Sequence, residues 1–292
     1  MVWDLSTELI HATVQLEQPL GDGTRTVGTG FLIDAPTPDG RPRTILITAN
    51  HVLQKMPGAD ARIGFRIQNA DGSWSYAPQP LQIRGKDGGA LWTKHPSRDV
   101  AALTLKAPPE FAKAAIPLKY LASDETFTSN AVGAGDEMMA LGFPRGLAAN
   151  QAGFPILRSG RVASYPVAPA KIFPTFLLDF AVFPGNSGGP VFMSSTASRR
   201  AGAAAEVSAV ATDASTAPTA PAAPTEFIAG LLTQQVELNN ERLEIGIVTQ
   251  AKFIRETIAL IDNPMAPVTV AKGDTGMTGA KAASAEEAVA KD

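Results

Sequence analysis

The chain has 292 residues, of which 45% are hydrophobic and 18% are charged, as is typical of a globular protein with a sizeable core. Its formal net charge of −3 argues against the basic surface that nucleic-acid binding requires. The absence of cysteine excludes disulfides, thiolate metal sites and a cysteine nucleophile.

Short apolar runs, broken about every ten residues by Gly, Pro, Asn or Asp, extend from Thr7 to about Thr249 and predict an all-β fold. The runs predict strands at Ala12–Glu17, Val27–Ile33, Thr44–Thr48, Ala61–Ile67, Trp74–Ile83, Val100–Lys106, Glu137–Gly142, Leu157–Ala163, Phe176–Phe180, Pro190–Met193, Phe227–Thr233 and Leu243–Val248. These twelve predicted strands suit two six-stranded antiparallel β-barrels. We expect one barrel over about residues 1–106, a linker over about 107–135 and a second barrel over about 136–262.

The last regular element is predicted to be a helix that starts at Ala251, because apolar residues recur there at helical spacing and Asn263-Pro264 follows as a stop. Two segments are rich in Ala, Ser, Thr and Pro and poor in large apolar side chains. These are residues 194–225, an insertion, and the tail over residues 263–292. We expect both to be flexible and of low complexity.

The segment Phe183–Pro190 reads FPGNSGGP and carries the clearest chemical signal. A serine hydroxyl needs a base to take its proton and hydrogen-bond donors to hold the oxyanion formed on attack. Glycines beside Ser187 let the backbone turn so that the N–H groups of Gly185 and Ser187 can point at one spot. Ser187 is therefore the candidate nucleophile.

The order of residues along the chain separates three kinds of hydrolase. An α/β-hydrolase needs its histidine after the serine, but His11, His51 and His95 all precede Ser187. A subtilisin-like order needs an aspartate before the histidine and an alternating βα pattern, which this sequence lacks. The order His51, Asp99, Ser187 is the one used by chymotrypsin-type proteases.

Three segments resemble, in order, the signature blocks of the trypsin/chymotrypsin-like serine protease superfamily: Ile47–Leu53, Arg98–Leu103 and Phe183–Pro190. Three more resemble motifs of bacterial Deg-type (HtrA-like) protease domains: Gly28–Ile33, Leu141–Pro144 and Ser159–Ser164. The resemblance spans about Thr7 to Ile261, and no PDZ-like domain follows it. It implies a trypsin-like serine endopeptidase.

The resemblance also implies roles for single residues. Ser187 would attack the substrate carbonyl, His51 would act as base and then acid, and Asp99 would hold the histidine. The N–H groups of Gly185 and Ser187 would form the oxyanion hole, and the Thr233 hydroxyl would bond to Asp99. Asn186 replaces the aspartate that digestive proteases use after propeptide cleavage, so that activation switch is expected to be missing.

The substrate pocket implied by the resemblance has no carboxylate to pair with Lys or Arg, so we expect cleavage after small or medium apolar residues. Its lining is expected to be Ala181, Val182, Phe183, Thr233, Gln234, Gln235 and Gly246. The expected partners are polypeptide substrates, with no cofactor, metal, nucleic acid or membrane span.

The resemblance favours a periplasmic or secreted protein, although the first residues show no signal-peptide pattern. His95, just before Asp99, is expected to be a solvated loop residue. The alternative function is a protease-fold binding protein whose cleft holds polypeptide without efficient turnover.

Overall fold

The computed structural model describes residues 3–194, 226–238, 241–269 and 281–283. Two mainly antiparallel sheets, one in each half of the chain, form the framework of the described residues. Apolar residues of the sheets and of the helices packed on them form one continuous core that includes Phe31, Phe127, Phe176, Phe192 and Phe253. In the part of the chain that is described, no helix has the length and apolar character needed to cross a membrane.

The first sheet contains seven antiparallel strands in the spatial order β5-β4-β1-β2-β3-β7-β6, and β8 pairs with β2 in parallel. The strands are β1 (Thr13–Pro19), β2 (Arg25–Asp34), β3 (Thr44–Thr48), β4 (Asp60–Gln68), β5 (Trp74–Gln82), β6 (Thr93–Lys94), β7 (Ala101–Leu105) and β8 (Ile116–Pro117). The central strands β1, β2 and β3 are buried on both faces along most of their length.

The second sheet closes into a six-stranded antiparallel barrel, because β12 pairs with both β9 and β13. Its strands are β9 (Glu137–Gly142), β10 (Ile156–Val162), β11 (Thr175–Asp179), β12 (Pro190–Met193), β13 (Phe227–Leu238) and β14 (Glu241–Gln250). A seventh strand, β15 (Lys281–Ala283), adds to the outside of β13.

Of the predicted all-β fold with two six-stranded barrels and a C-terminal helix, the all-β fold, one closed barrel and the helix are confirmed, but the first sheet does not close. Its terminal strand β5 pairs with β4 alone among the described strands. Pro78 and Pro80 lie in β5 and have no N–H to donate to a further strand. A groove of about 520 Å³ marks the open side, lined by residues such as Leu81, Leu91 and Leu103.

Among the described residues, the helices are short apart from the last. They are α1 (Leu5–Ala12), α2 (Asn50–Gln54), α3 (Pro109–Ala112), α4 (Asp124–Ser129) and α5 (Ala251–Asp262), with 3₁₀ turns at Leu118–Tyr120 and Pro144–Gly146. The predicted C-terminal helix is thus present as α5, and it buries Phe253, Ile254 and Ile258. Helix α1 was not expected from the sequence. Asp4 caps it by accepting a hydrogen bond from the Thr7 N–H.

Two sequence predictions concern segments that the model describes only in part. Of the insertion at 194–225, residues 195–225 lie outside the described residues, as do 270–280 and 284–292 of the tail. Within the tail, residues 281–283 form β15, although low complexity was expected there. Main-chain pairing accounts for this strand, since it needs no large apolar side chain.

Candidate active site

The backbone around Ser187 folds into two consecutive turns. The Asn186 N–H donates to the Phe183 carbonyl at 3.1 Å, and the Gly189 N–H donates to the Asn186 carbonyl at 3.1 Å. The third residue of each turn is a glycine with positive φ, Gly185 at 93° and Gly188 at 88°. These are the features of type II turns, in which the third position favours glycine. The sequence PGNSGG therefore dictates this local structure.

Two backbone donors in this turn pair have no acceptor among the described residues: the N–H groups of Gly185 and Ser187. The N–H groups of their neighbours Asn186, Gly188 and Gly189 are all bonded. The Pro184 carbonyl accepts from the Arg145 N–H at 2.5 Å, and in a trans peptide the Gly185 N–H then points in the opposite direction. Both donors are therefore free to bind a ligand oxygen.

Close packing explains why glycine is needed on either side of the serine. A Cβ on Gly188 would lie 2.1 Å from the Thr29 carbonyl oxygen and 2.2 Å from the Thr48 hydroxyl. A Cβ on Gly185 would lie 2.2 Å from the Phe143 carbonyl oxygen. The turn pair is therefore pressed against β2, β3 and the loop after β9.

Thr29 connects the first sheet to this turn pair. Its hydroxyl donates to the Gly185 carbonyl at 2.6 Å and accepts from the Phe143 N–H at 3.1 Å. Its own N–H donates to the Ser187 carbonyl at 2.9 Å. Thr29 is fully buried, so these bonds are shielded from bulk solvent.

His51 and Asp99 form the tightest polar pair of the site. His51 lies in α2, directly after β3, and Asp99 lies just before β7, the strand that pairs with β3. The Asp99 carboxylate accepts from the His51 backbone N–H at 2.9 Å and lies 2.5 Å from the ring Nδ1. A proton on Nδ1 leaves the other ring nitrogen, Nε2, free to act as a base.

The structure brings the predicted serine to the same region without a hydrogen bond to the histidine. The Ser187 hydroxyl donates to the Thr233 carbonyl at 3.2 Å, and in the described part of the chain no bond joins it to His51. Gly188 packs against Thr48 and against Ala49, two residues before His51. The hydroxyl must therefore rotate away from Thr233 before the imidazole can take its proton.

Comparison of the sequence with protein-family models identifies the fold family. Residues 28–197, more than half of the chain, match the model described as a trypsin-like peptidase domain. The chain belongs to the trypsin-like peptidase family. No curated protein matches the peptidase in sequence.

Among solved structures, the peptidase is similar to the HtrA-type protease AlgWS227A with tripeptide. The two are 15% identical with a TM-score of 0.51, and the match covers 89% of this chain and 63% of that one. The likeness shows a shared fold. The resemblance to trypsin-like proteases seen in the sequence is confirmed by the family match.

Two of the predicted pocket residues, Val182 and Gly246, lie close together. Val182 and Phe180 approach Gly246, where an added Cβ would lie 3.0 Å from Val182 and 3.4 Å from Phe180. Leu232, one residue before Thr233, would also be 3.0 Å away. The side chains next to Gly246 in the peptidase are apolar, and they leave little space beside it.

The expectation that the Thr233 hydroxyl bonds to Asp99 is wrong. In the peptidase this hydroxyl donates to the Ile247 carbonyl at 3.2 Å. The reason is a register shift between Leu232 and Gln234 where β13 pairs with β14. The extra residue is Thr233. Its hydroxyl bonds to β14 at Ile247, and its carbonyl accepts from the Ser187 hydroxyl.

His95 is also not the solvated residue that the sequence suggested. Its side chain is buried, and Nε2 lies 3.1 Å from the Glu256 carboxylate on α5. Burial alone would raise the pKa of Glu256, but hydrogen bonds from His95 and Thr269 outweigh it and hold that pKa below its usual range. The loop that carries Asp99 is thereby fastened to the last helix of the peptidase.

Sequence reasoning did not identify Thr29 or Glu256. A polar residue between two glycines in an otherwise apolar strand was the available signal for Thr29. No local signal exists for Glu256, because its partner His95 is distant in the chain. Among the described residues, no cluster of three or more His, Cys, Asp or Glu could hold a metal ion.

Proposed function

We propose that the protein is a serine endopeptidase that cleaves peptide bonds through an acyl-enzyme on Ser187. The observation that carries the proposal is the pair of unused N–H groups at Gly185 and Ser187 beside the His51–Asp99 pair. A hydrolase of this type needs a base for the serine and two donors for the oxyanion. Membership of the trypsin-like peptidase family supports the same reaction class.

In this mechanism His51 takes the proton from the Ser187 hydroxyl as the oxygen attacks the substrate carbonyl. Negative charge moves to the carbonyl oxygen, where the Gly185 and Ser187 N–H groups stabilise it. The Asp99 carboxylate stabilises the imidazolium, which then gives its proton to the leaving amine. Water, deprotonated by the same imidazole, releases the acyl group and restores Ser187.

We propose that the enzyme prefers a small or medium apolar residue on the amino side of the cut. The side chains of Phe180, Val182 and Leu232 lie next to Gly246, and none of them carries a charge. An apolar pocket discriminates by size, with each methylene worth about 1–3 kcal/mol. A buried Lys or Arg would have no carboxylate partner in such a pocket.

A fluorophosphonate probe tests the nucleophile. We expect covalent labelling of the native chain at Ser187 and no labelling of Ser187→Ala. His51→Ala should also abolish labelling, since the hydroxyl then lacks its base. If the native chain stays unlabelled over a range of temperatures and added peptides, the protein is a binding protein with a protease fold.

The pocket is tested with peptide substrates that differ only in the residue before the cut. Ala and Val substrates should have the highest kcat/KM, and Lys, Arg and Glu substrates the lowest. A preference for Lys or Arg would contradict the apolar pocket. The Ser187→Ala chain is the control for contaminating proteases.

A further inference from the structure

The two edges of β13 have different partners. β14 pairs with one edge from Gly230 to Leu238. On the opposite edge, β12 pairs with β13 from Phe227 to Leu231. A strand has only two edges. Any segment that pairs with β13 on the side away from β14 therefore lies on the same edge as β12.

That shared edge continues from β12 past the candidate nucleophile. Leu232 donates to the Gly189 carbonyl at 2.9 Å and accepts from the Gly188 N–H at 2.7 Å. The next residue, Thr233, accepts from the Ser187 hydroxyl at 3.2 Å. β15 then pairs with Gln235, Val236 and Glu237. The C-terminal strand therefore lies on the edge that carries Ser187, two residues beyond it.

β15 runs along β13 in the direction of Ser187. The pairing is antiparallel, with Lys281 opposite Glu237 and Ala283 opposite Gln235. Since Gln235 is the paired residue of β13 nearest to Thr233, the strand runs from its far end towards Ser187. An extended peptide that reached the serine along this edge would have the same direction and would use the same main-chain groups.

We propose that Lys281–Ala283 is an intramolecular ligand of the cleft, which competes with substrate for the β13 edge at Gln235–Glu237. The inference rests on the proposed function, because competition matters only if Ser187 acts on peptides bound there. Binding of an extended segment to a strand edge depends mainly on main-chain hydrogen bonds. A short alanine-containing strand can thus occupy the edge without a dedicated pocket.

Attachment to the same chain strengthens a contact that three residues could not sustain alone. A tethered ligand experiences an effective concentration on the order of millimolar. A tripeptide strand of similar dissociation constant would then fill the edge for a substantial fraction of the time. Substrate must displace it, so the full chain should show a raised apparent KM and an unchanged kcat.

The kinetic test compares the full chain with a chain that ends at Ala280. We expect KM for a peptide substrate to fall by about threefold or more on truncation, with kcat unchanged. In the full chain, Ala282→Pro with Ala283→Pro should give the same fall, since proline removes the N–H from both positions. Ala282→Ser with Ala283→Ser keeps both N–H groups and should keep the KM of the full chain.

Equal KM values in the full, truncated and double-proline chains would overturn the proposal. A fall in kcat on truncation, with KM unchanged, would also overturn it, because that result indicates a stabilising strand and not a competitor.

A second measurement separates this proposal from the proposed function. Amide hydrogen exchange is followed in Ser187→Ala chains, with and without residues 281–292. The amides of Gln235–Glu237 should exchange more slowly in the longer chain, and equal exchange would refute the docking. If no chain hydrolyses any peptide but protection is seen, the proposed function fails while the strand contact stands.

Discussion

Thr29→Val tests whether the first sheet holds the oxyanion turn in its working shape. Valine has nearly the same shape as threonine but cannot donate or accept at the position of the hydroxyl. The substitution removes the 2.6 Å bond to the Gly185 carbonyl and the 3.1 Å bond from the Phe143 N–H. It leaves the Thr29 backbone bond to Ser187 in place.

The magnitude follows from the burial of Thr29, which is 0% exposed. Each partner left without a bond in such a site costs about 1–3 kcal/mol, so we expect the free energy of unfolding to fall by about 3 kcal/mol. The bond to Gly185 acts directly on the turn that presents the oxyanion donors. If about 1.4 kcal/mol of that loss raises the free energy of activation, kcat falls about tenfold.

Urea unfolding measures the stability, and steady-state hydrolysis of an Ala-containing peptide measures kcat and KM. Thr13→Val is the matched control, because Thr13 is equally buried and its hydroxyl donates to the Leu9 carbonyl at 2.7 Å, away from the turn. It should lose about 1 kcal/mol of stability and keep kcat. A Thr29→Val enzyme that is less stable but keeps kcat would refute a role in shaping the oxyanion turn.

Three further outcomes are expected. Gly188→Ala should abolish probe labelling and lower the melting temperature, because its Cβ would collide with the Thr29 carbonyl at 2.1 Å. Gly246→Ala should shift the peptide preference towards smaller residues before the cut, measured as the ratio of kcat/KM for Ala over Val substrates, as it narrows the pocket. The lowered pKa of Glu256 means that its carboxylate stabilises the fold above the pKa of the unfolded chain and loses this effect as pH falls through the folded pKa. Glu256→Gln should therefore be less stable than the native chain near neutral pH, with a smaller deficit at about pH 3 in urea unfolding.

The parts of the fold that sequence patterns predicted are those with strong local signals. Short apolar runs between Gly, Pro, Asn and Asp predicted the barrel strands, and helical spacing before Asn263-Pro264 predicted α5 with its first residue. The PGNSGG segment predicted a glycine-dependent turn at Ser187, and the structure has one. In each case neighbouring residues alone determine the local backbone.

What the sequence could not predict depends on contacts between distant residues. The His95–Glu256 pair joins a loop of the first sheet to α5, and neither residue has a neighbour that indicates the other. The bonding of the Thr233 hydroxyl to Ile247 follows from a register shift in the β13–β14 ladder. The strand β15 arises from an unoccupied edge of β13, which is a property of the folded barrel and not of residues 281–283.

The attachment of the Asp99 loop to α5 affects the order in which the protein can mature. The ribosome makes His51 and Asp99 well before Glu256 and Phe253, the residues of α5 that contact His95. Until α5 has been synthesised, this loop lacks the helix residues that fasten it. The candidate site therefore gains its last support only when most of the polypeptide has been made, and a nascent chain that stops before residue 251 leaves the loop unanchored.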